Sequence, residues 1–320
     1  MPTPLIAQEI YLLERFSSLE SLADVRDAWE AMLKHVEGLY ERFMLHLSPD
    51  YRRRPLPLQP DRAWGDRVLP NFRDTMQILN ESVIERSHGD LWAIGGAAIG
   101  MDVRGQSDYS SDWMDEVEPC GASRYSELLS RASELAWPCY LTWSGIWRPE
   151  ALTVNYDKVV KLPLNPPASW PIYRLSPTIK VRSGERTPKS GIYLPDVDGS
   201  FPTLLYKHDD PMIGEAGEAF VPKVPGPGHD EVPCLWTLVE RVADSGGTSG
   251  WGEGLSPPPV RRLNVPAGEL CPETGWWHTP AKAGSRRYFK EGTVMPEMKG
   301  SDYGATYWQW SHDQEMPKLR

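Results

Sequence analysis

No stretch of this 320-residue sequence approaches the roughly 18 uninterrupted apolar residues needed to cross a membrane as a helix. Cysteine is sparse too: Cys120, Cys139, Cys234 and Cys271 are scattered, with no CxxC or other ligand-like spacing. A chain of this size does not call for disulfides, so the four read as reduced thiols in or near the core. None of the seven histidines belongs to an HxH, an HExxH or a Cys/His cluster, so neither a metal nor a cofactor is expected. There is no GxSxG nucleophile elbow, and neither Ser144 nor Ser190 has a sequence-level partner to activate it, so no catalytic residue is assigned. No internal repeat is present. The opening segment MPTPLIAQEIYLLERF carries Glu9 and Glu14 among its apolar residues and lacks a basic cluster. It does not read as a secretory signal, and a cytoplasmic location is expected.

What is present is an ordinary globular composition, 40% hydrophobic and 24% charged, in a chain about twice the length of a typical domain. Its charge is unevenly placed. Residues 1 to 160 hold 25 Asp and Glu against 16 Lys and Arg, a net of −9, whereas residues 161 to 320 hold 19 against 18, a net of −1. Proline is skewed the other way, with 10 of the 31 in the first half and 21 in the second. The two halves are therefore expected to be different kinds of structure.

The spacing predicts an α+β protein: an acidic helical bundle over residues 1–136, then a Pro/Gly-rich antiparallel β half over 137–320. Val25, Trp29, Met32, Val36, Leu39 and Phe43 step by three and four along one helical face, with Asp24 as the expected N-cap. An earlier helix carries Ile10, Leu13 and Phe16. A later one carries Trp64, Val68, Phe72, Met76, Leu79 and Val83, with Pro70 expected to kink or restart it. A last helix, Ser123 to Ala136, is expected to end at Pro138. Beyond it LTVNY, YDKVVKL, TIKVRS, GIYLP, TLLYKH and CLWTLVERV are rich in β-branched and aromatic residues and read as strands of an antiparallel sheet or open barrel. Asp198-Gly199 reads as a hairpin-type turn, and Ser245 to Pro259 as a flexible loop with a stiff end.

Most chemical signals have a plain alternative. Arg52, Arg53 and Arg54 lie among prolines in an acidic half and read as a solvated loop, so no direct nucleic-acid contact is expected. GGAAIG (Gly95 to Gly100) lacks the lysine and Ser/Thr of a phosphate loop and reads as close helix packing. His208-Asp209-Asp210 reads as a turn ended by Pro211. Fourteen tryptophans leave open an enzyme that stacks a saccharide or modified target and uses carboxylates brought together by folding. The favoured site is the acidic segment Asp102 to Glu118. There Asp108, Asp112, Asp115, Glu116 and Glu118 would pair with cations of a basic partner, while Tyr109 and Trp113 would serve as anchors.

The runs SGIYLPDVDGSFPTLLY (190–206), LWTLVERVAD (235–244), GELCPETGWWHTPAKAGSRRYFKEGTVMP (268–296) and YGATYWQW (303–310) resemble bacterial immunity protein families 71 and 72 of polymorphic and type VI secretion toxin systems. The resemblance covers the chain from Lys189 onward and no named motif of the helical half. Phe201 departs from it, standing where the family pattern has a cysteine or polar residue. It implies a non-enzymatic inhibitor that binds a cognate secreted toxin; the acidic half makes a basic nuclease or nucleotide-acting enzyme a candidate partner by charge complementarity, and homo-oligomerisation is left open. It carries over no catalytic residue. Cys271, Pro272, Gly275, Trp276, Trp277, Trp308 and Trp310 of its motifs read physically as structure, a turn and the filling of a small β core.

Overall fold

The computed structural model describes residues 2–157, 162–167, 170–223, 228–242, 264–298, 306–311 and 313–315. The loop Ser245 to Pro259, most of the expected strand YDKVVKL, and residues 303–305 of YGATYWQW lie outside them. The described residues are α+β, with helices concentrated in the first half and antiparallel sheets in the second.

Two compact units divide the chain, one formed by residues 16–144 and the other by 1–15 together with 145–320. This differs from a single cut after residue 136. Helix α1 (Ala7–Phe16) is tied to the later sequence by long-range bonds: Gln8 Nε2 donates to the Leu152 carbonyl at 2.9 Å, and Arg15 Nη1 to the Leu164 carbonyl at 2.7 Å.

In the helical unit, α2 (Leu19–Leu45) buries Leu22, Val25, Trp29, Met32, Val36, Leu39 and Phe43, the stripe predicted from spacing. Its N-cap is Ser18, not Asp24. The Ser18 hydroxyl accepts the Ser21 N–H at 3.1 Å and satisfies a first-turn donor, so the helix starts before Asp24. Asp61–Val68 forms a π-helical stretch that passes into α3 (Leu69–Ser87). Pro70 lies just past the change from π- to α-helical path, where the helix continues and its missing N–H leaves one carbonyl of the preceding turn without that donor. Trp64 joins the core by edge-on contacts with Phe72, Trp113 and Tyr125, and its Nε1 donates to the Ser110 carbonyl at 2.8 Å.

GGAAIG does serve close packing. A Cβ on Gly95 would lie 2.7 Å from the Trp143 ring, and one on Gly96 would overlap Ser82. The last helices are α4 (Gly100–Gly105), α5 (Trp113–Val117) and α6 (Gly121–Ser144). The expected end of the final helix at Pro138 is corrected, because α6 runs through it. Pro138, Cys139 and Thr142 are all buried, so packing beyond the proline offsets the one backbone bond it removes.

The second unit contains strands β1 (Tyr173–Arg182), β2 (Gly191–Pro195) and β3 (Thr203–Leu205), a short α7 (Pro211–Gly214), then β4 (Ala219–Pro222), β5 (His229–Val232) and β6 (Leu235–Arg241). They are followed by β7 (Asn264–Pro266), β8 (Gly275–His278), β9 (Arg287–Phe289) and β10 (Tyr307–Trp310). One sheet has the order β1-β6-β2-β3, a second β7-β10-β8-β9, and β4 pairs with β5; the strand pairings among the described residues are antiparallel. The register of β1 on β6 shifts between Leu175 and Lys180. Pro177, which has no N–H to give the sheet, lies in that shift. Gly199 takes a left-handed φ of 72° in the connection from β2 to β3, as the Asp-Gly reading requires.

LTVNY is not a strand. The N–H groups of Thr153 and Asn155 both return to the Glu150 carbonyl, so local turns consume the donors that a sheet would use. His208–Asp210 is a capped turn: Asp210 Oδ1 accepts the Met212 N–H at 2.9 Å and starts α7.

Candidate functional site

The acidic segment is built from short helices that sort its side chains. Trp113 and Met114, at the start of α5, are 5% and 0% exposed. Trp113 lies edge-on to Phe43 and Trp64, both 5.6 Å away between ring centroids. Tyr109 is half-buried and packs on the same core. The expectation that Trp113 anchors a partner is therefore corrected: its large apolar ring is already used to hold α5 onto the helical core.

The carboxylates point the other way. Asp108, Asp112, Asp115, Glu116 and Glu118 are all exposed. Asp115 Oδ1 accepts the Ala122 N–H at 3.1 Å, bracing the start of α6. Glu116 receives both guanidinium nitrogens of Arg54 at 2.9 Å, and Glu118 pairs with Arg42 at 2.6 Å. Asp108 and Asp112 make no ion pair among the described residues.

Charge across the whole helical unit follows the same pattern. Its 21 Asp and Glu exceed its 13 Lys and Arg, a net of −8. Ten of those 13 cations, Arg52, Arg53 and Arg54 among them, are engaged in ion pairs. The surplus carboxylates therefore have few cations of their own left to neutralise them. The field of the unit is negative, and the arginine-rich loop does not reverse it.

The CPxTGWW and YWQW residues form a packed core. Cys271, Trp277 and Trp308 are buried with Val265, Met295 and Met298, while Phe289 and Trp310 pack against them. Trp277 Nε1 and the Cys271 thiol both donate to the Glu273 carbonyl at 3.1 Å, which shapes the turn after the exposed Pro272. Burial raises the Cys271 thiol above its ordinary value. Gly275 is needed for room: a Cβ there would overlap the Trp310 ring. Trp276 is half-buried outside this core, with the Arg286 guanidinium 4.4 Å from its ring centroid.

Folding also assembles residues that the sequence did not single out. Glu9 is pushed up to about 8 by burial, with repulsion from Glu150 second. Glu14 is also raised, chiefly by burial, against the lowering effects of Tyr173, whose hydroxyl donates to it at 2.6 Å, and of Arg241 at 3.3 Å. The available signal was a carboxylate recurring on the apolar stripe of α1. A cavity of about 210 Å³ lies between the start of α1, residues 170–173, His278 and Gln309. Among the described residues, no group of three His, Cys, Asp or Glu side chains is placed to hold a metal ion, and no helix is long and apolar enough to cross a membrane.

The chain matches no protein-family model, no curated protein and no solved structure.

Proposed function

We propose that this protein is a cytosolic immunity protein that binds and neutralises a secreted toxin, without bond-making chemistry of its own. The observation that carries the reading is the exposure of Asp108, Asp112 and Asp115 on a helical unit of net charge −8 whose cations are mostly paired. A toxin that acts on nucleic acid or nucleotides needs cations to hold phosphate, and such a surface complements the same cations. Complementary fields speed encounter and reject partners of the wrong sign.

The test is co-expression with the product of the neighbouring upstream gene, scored by pull-down and growth rescue. The wild type is expected to bind and rescue, with an association rate that falls as salt rises. Asp108→Asn combined with Asp112→Asn and Glu116→Gln should slow association. Rescue by that triple variant with unchanged association rate and salt dependence would remove the acidic face from the account.

One observation favours a different class: buried Glu9, raised to about 8, beside Glu150, is the kind of carboxyl an acid-base enzyme uses. Turnover of a saccharide by the purified chain, lost in Glu9→Gln, would establish the enzyme reading instead.

A further inference from the structure

His278 and Gln309 face one another across β8 and β10 as register partners, so their side chains share one face of that sheet. The neighbouring pair, Trp277 and Trp310, points to the opposite face with the aromatic core. The polar pair therefore projects away from the tryptophans and lines the cavity near α1. Gln309 is 4% exposed and belongs to the cavity lining, where its side-chain amide offers a donor and an acceptor. The buried polar atom of this lining without a partner among the described residues is Trp170 Nε1; a buried donor left unmet costs about 1–3 kcal/mol, so the site keeps a group that a ligand could meet.

The remaining walls say what that is. Leu5, Ala7, Pro171 and Ile172 are apolar, and Trp170, 3% exposed, packs edge-on to Tyr11 at 5.3 Å. The Tyr173 hydroxyl is committed as a donor to Glu14. No lysine or arginine lines the cavity among the described residues, so nothing there would neutralise a phosphate or carboxylate. The volume of about 210 Å³ is larger than the roughly 150 Å³ cavity that accommodates benzene.

We propose that this cavity binds a neutral planar ring carrying an adjacent hydrogen-bond donor and acceptor, the edge shown by nucleobases and cyclic amides, with the Gln309 amide pairing to that edge. A glutamine amide offers one donor and one acceptor side by side, which is how it reads the edge of adenine. The apolar walls would pack against the ring.

Titration calorimetry of the full chain with uracil, adenine and 1,3-dimethyluracil tests this. Uracil or adenine should bind, and 1,3-dimethyluracil, which fits by size but lacks the donors, should bind at least tenfold more weakly. Gln309→Leu should lose the binding with its near-ultraviolet circular dichroism unchanged. Because that variant alters a buried strand, Ala7→Leu provides a second test: it fills the cavity from a helix start and should also abolish binding. The proposal is overturned if neither base binds at millimolar concentration, if the dimethyl compound binds as tightly as uracil, or if binding survives in a folded Gln309→Leu or Ala7→Leu protein.

Discussion

Arg54 grips Glu116 with both guanidinium nitrogens, each 2.9 Å from a carboxylate oxygen, across 62 positions of sequence. The same guanidinium lies 6.0 Å from the Phe43 ring centroid and 5.7 Å from that of Tyr51. One cation thus joins the proline-rich loop, the end of α2 and the acidic segment, and it masks part of the surface proposed to meet a toxin.

A double-mutant cycle with Arg54→Ala and Glu116→Ala should give a coupling of about 0.5–1 kcal/mol, because both side chains are partly exposed and solvent screens them. The coupling should shrink in high salt. Arg54→Ala alone makes the face more negative, so it should speed association with a basic toxin while slightly lowering stability. Stopped-flow binding and urea titration separate the two effects.

Glu9 predicts the direction of a pH dependence. Its folded value of about 8 lies above the ordinary 4.5, so the folded state holds the proton more tightly than the unfolded state does. The contribution is fully present below about 4.5 and is lost as pH rises toward 8. Wild-type stability from urea unfolding should therefore fall between pH 5 and 8 relative to Glu9→Gln, which has no proton to lose. Parallel pH curves for the two proteins would show that Glu9 is not a buried, protonated carboxyl.

Two glycines four positions apart in sequence, Gly96 and Gly100, should respond differently. Gly96→Ala places a Cβ into Ser82 and should cost about 1–3 kcal/mol in thermal or urea unfolding. Gly100→Ala, at the start of α4, meets nothing within 4 Å and should be neutral or stabilising by about 0.4–1 kcal/mol. Equal effects would contradict the packing assigned to the GGAAIG run.

Trp277→Ala removes a fully buried ring from the small sheet core and should destabilise that unit by about 3–5 kcal/mol. Trp276→Ala, beside it but half-buried, should cost much less. Thermal unfolding followed by tryptophan fluorescence distinguishes the neighbours, and a reversed order would mean that the pair faces the other way.

Periodicity was enough to place α2 and the strands Gly191–Pro195 and Leu235–Arg241, because each is written in the alternation of a few adjacent residues. The tryptophan-rich motifs could likewise be read as core, and His208–Asp210 as a turn. The passage of α6 through Pro138 could not be read locally, since it depends on what Cys139 and Thr142 bury against. The charge excess of the helical half was determined by composition alone. Which carboxylates stay free was decided only when folding brought Arg54 to Glu116 and Arg42 to Glu118. Trp113 was legible as an aromatic but not as a buried one, and Gln309 gave no local sign of lining a cavity with Ala7 and Trp170. Local spacing dictates which face of an element is apolar; the partner of that face, and the surroundings of each polar group, are set by residues distant in sequence that only the packed chain brings within a few ångströms.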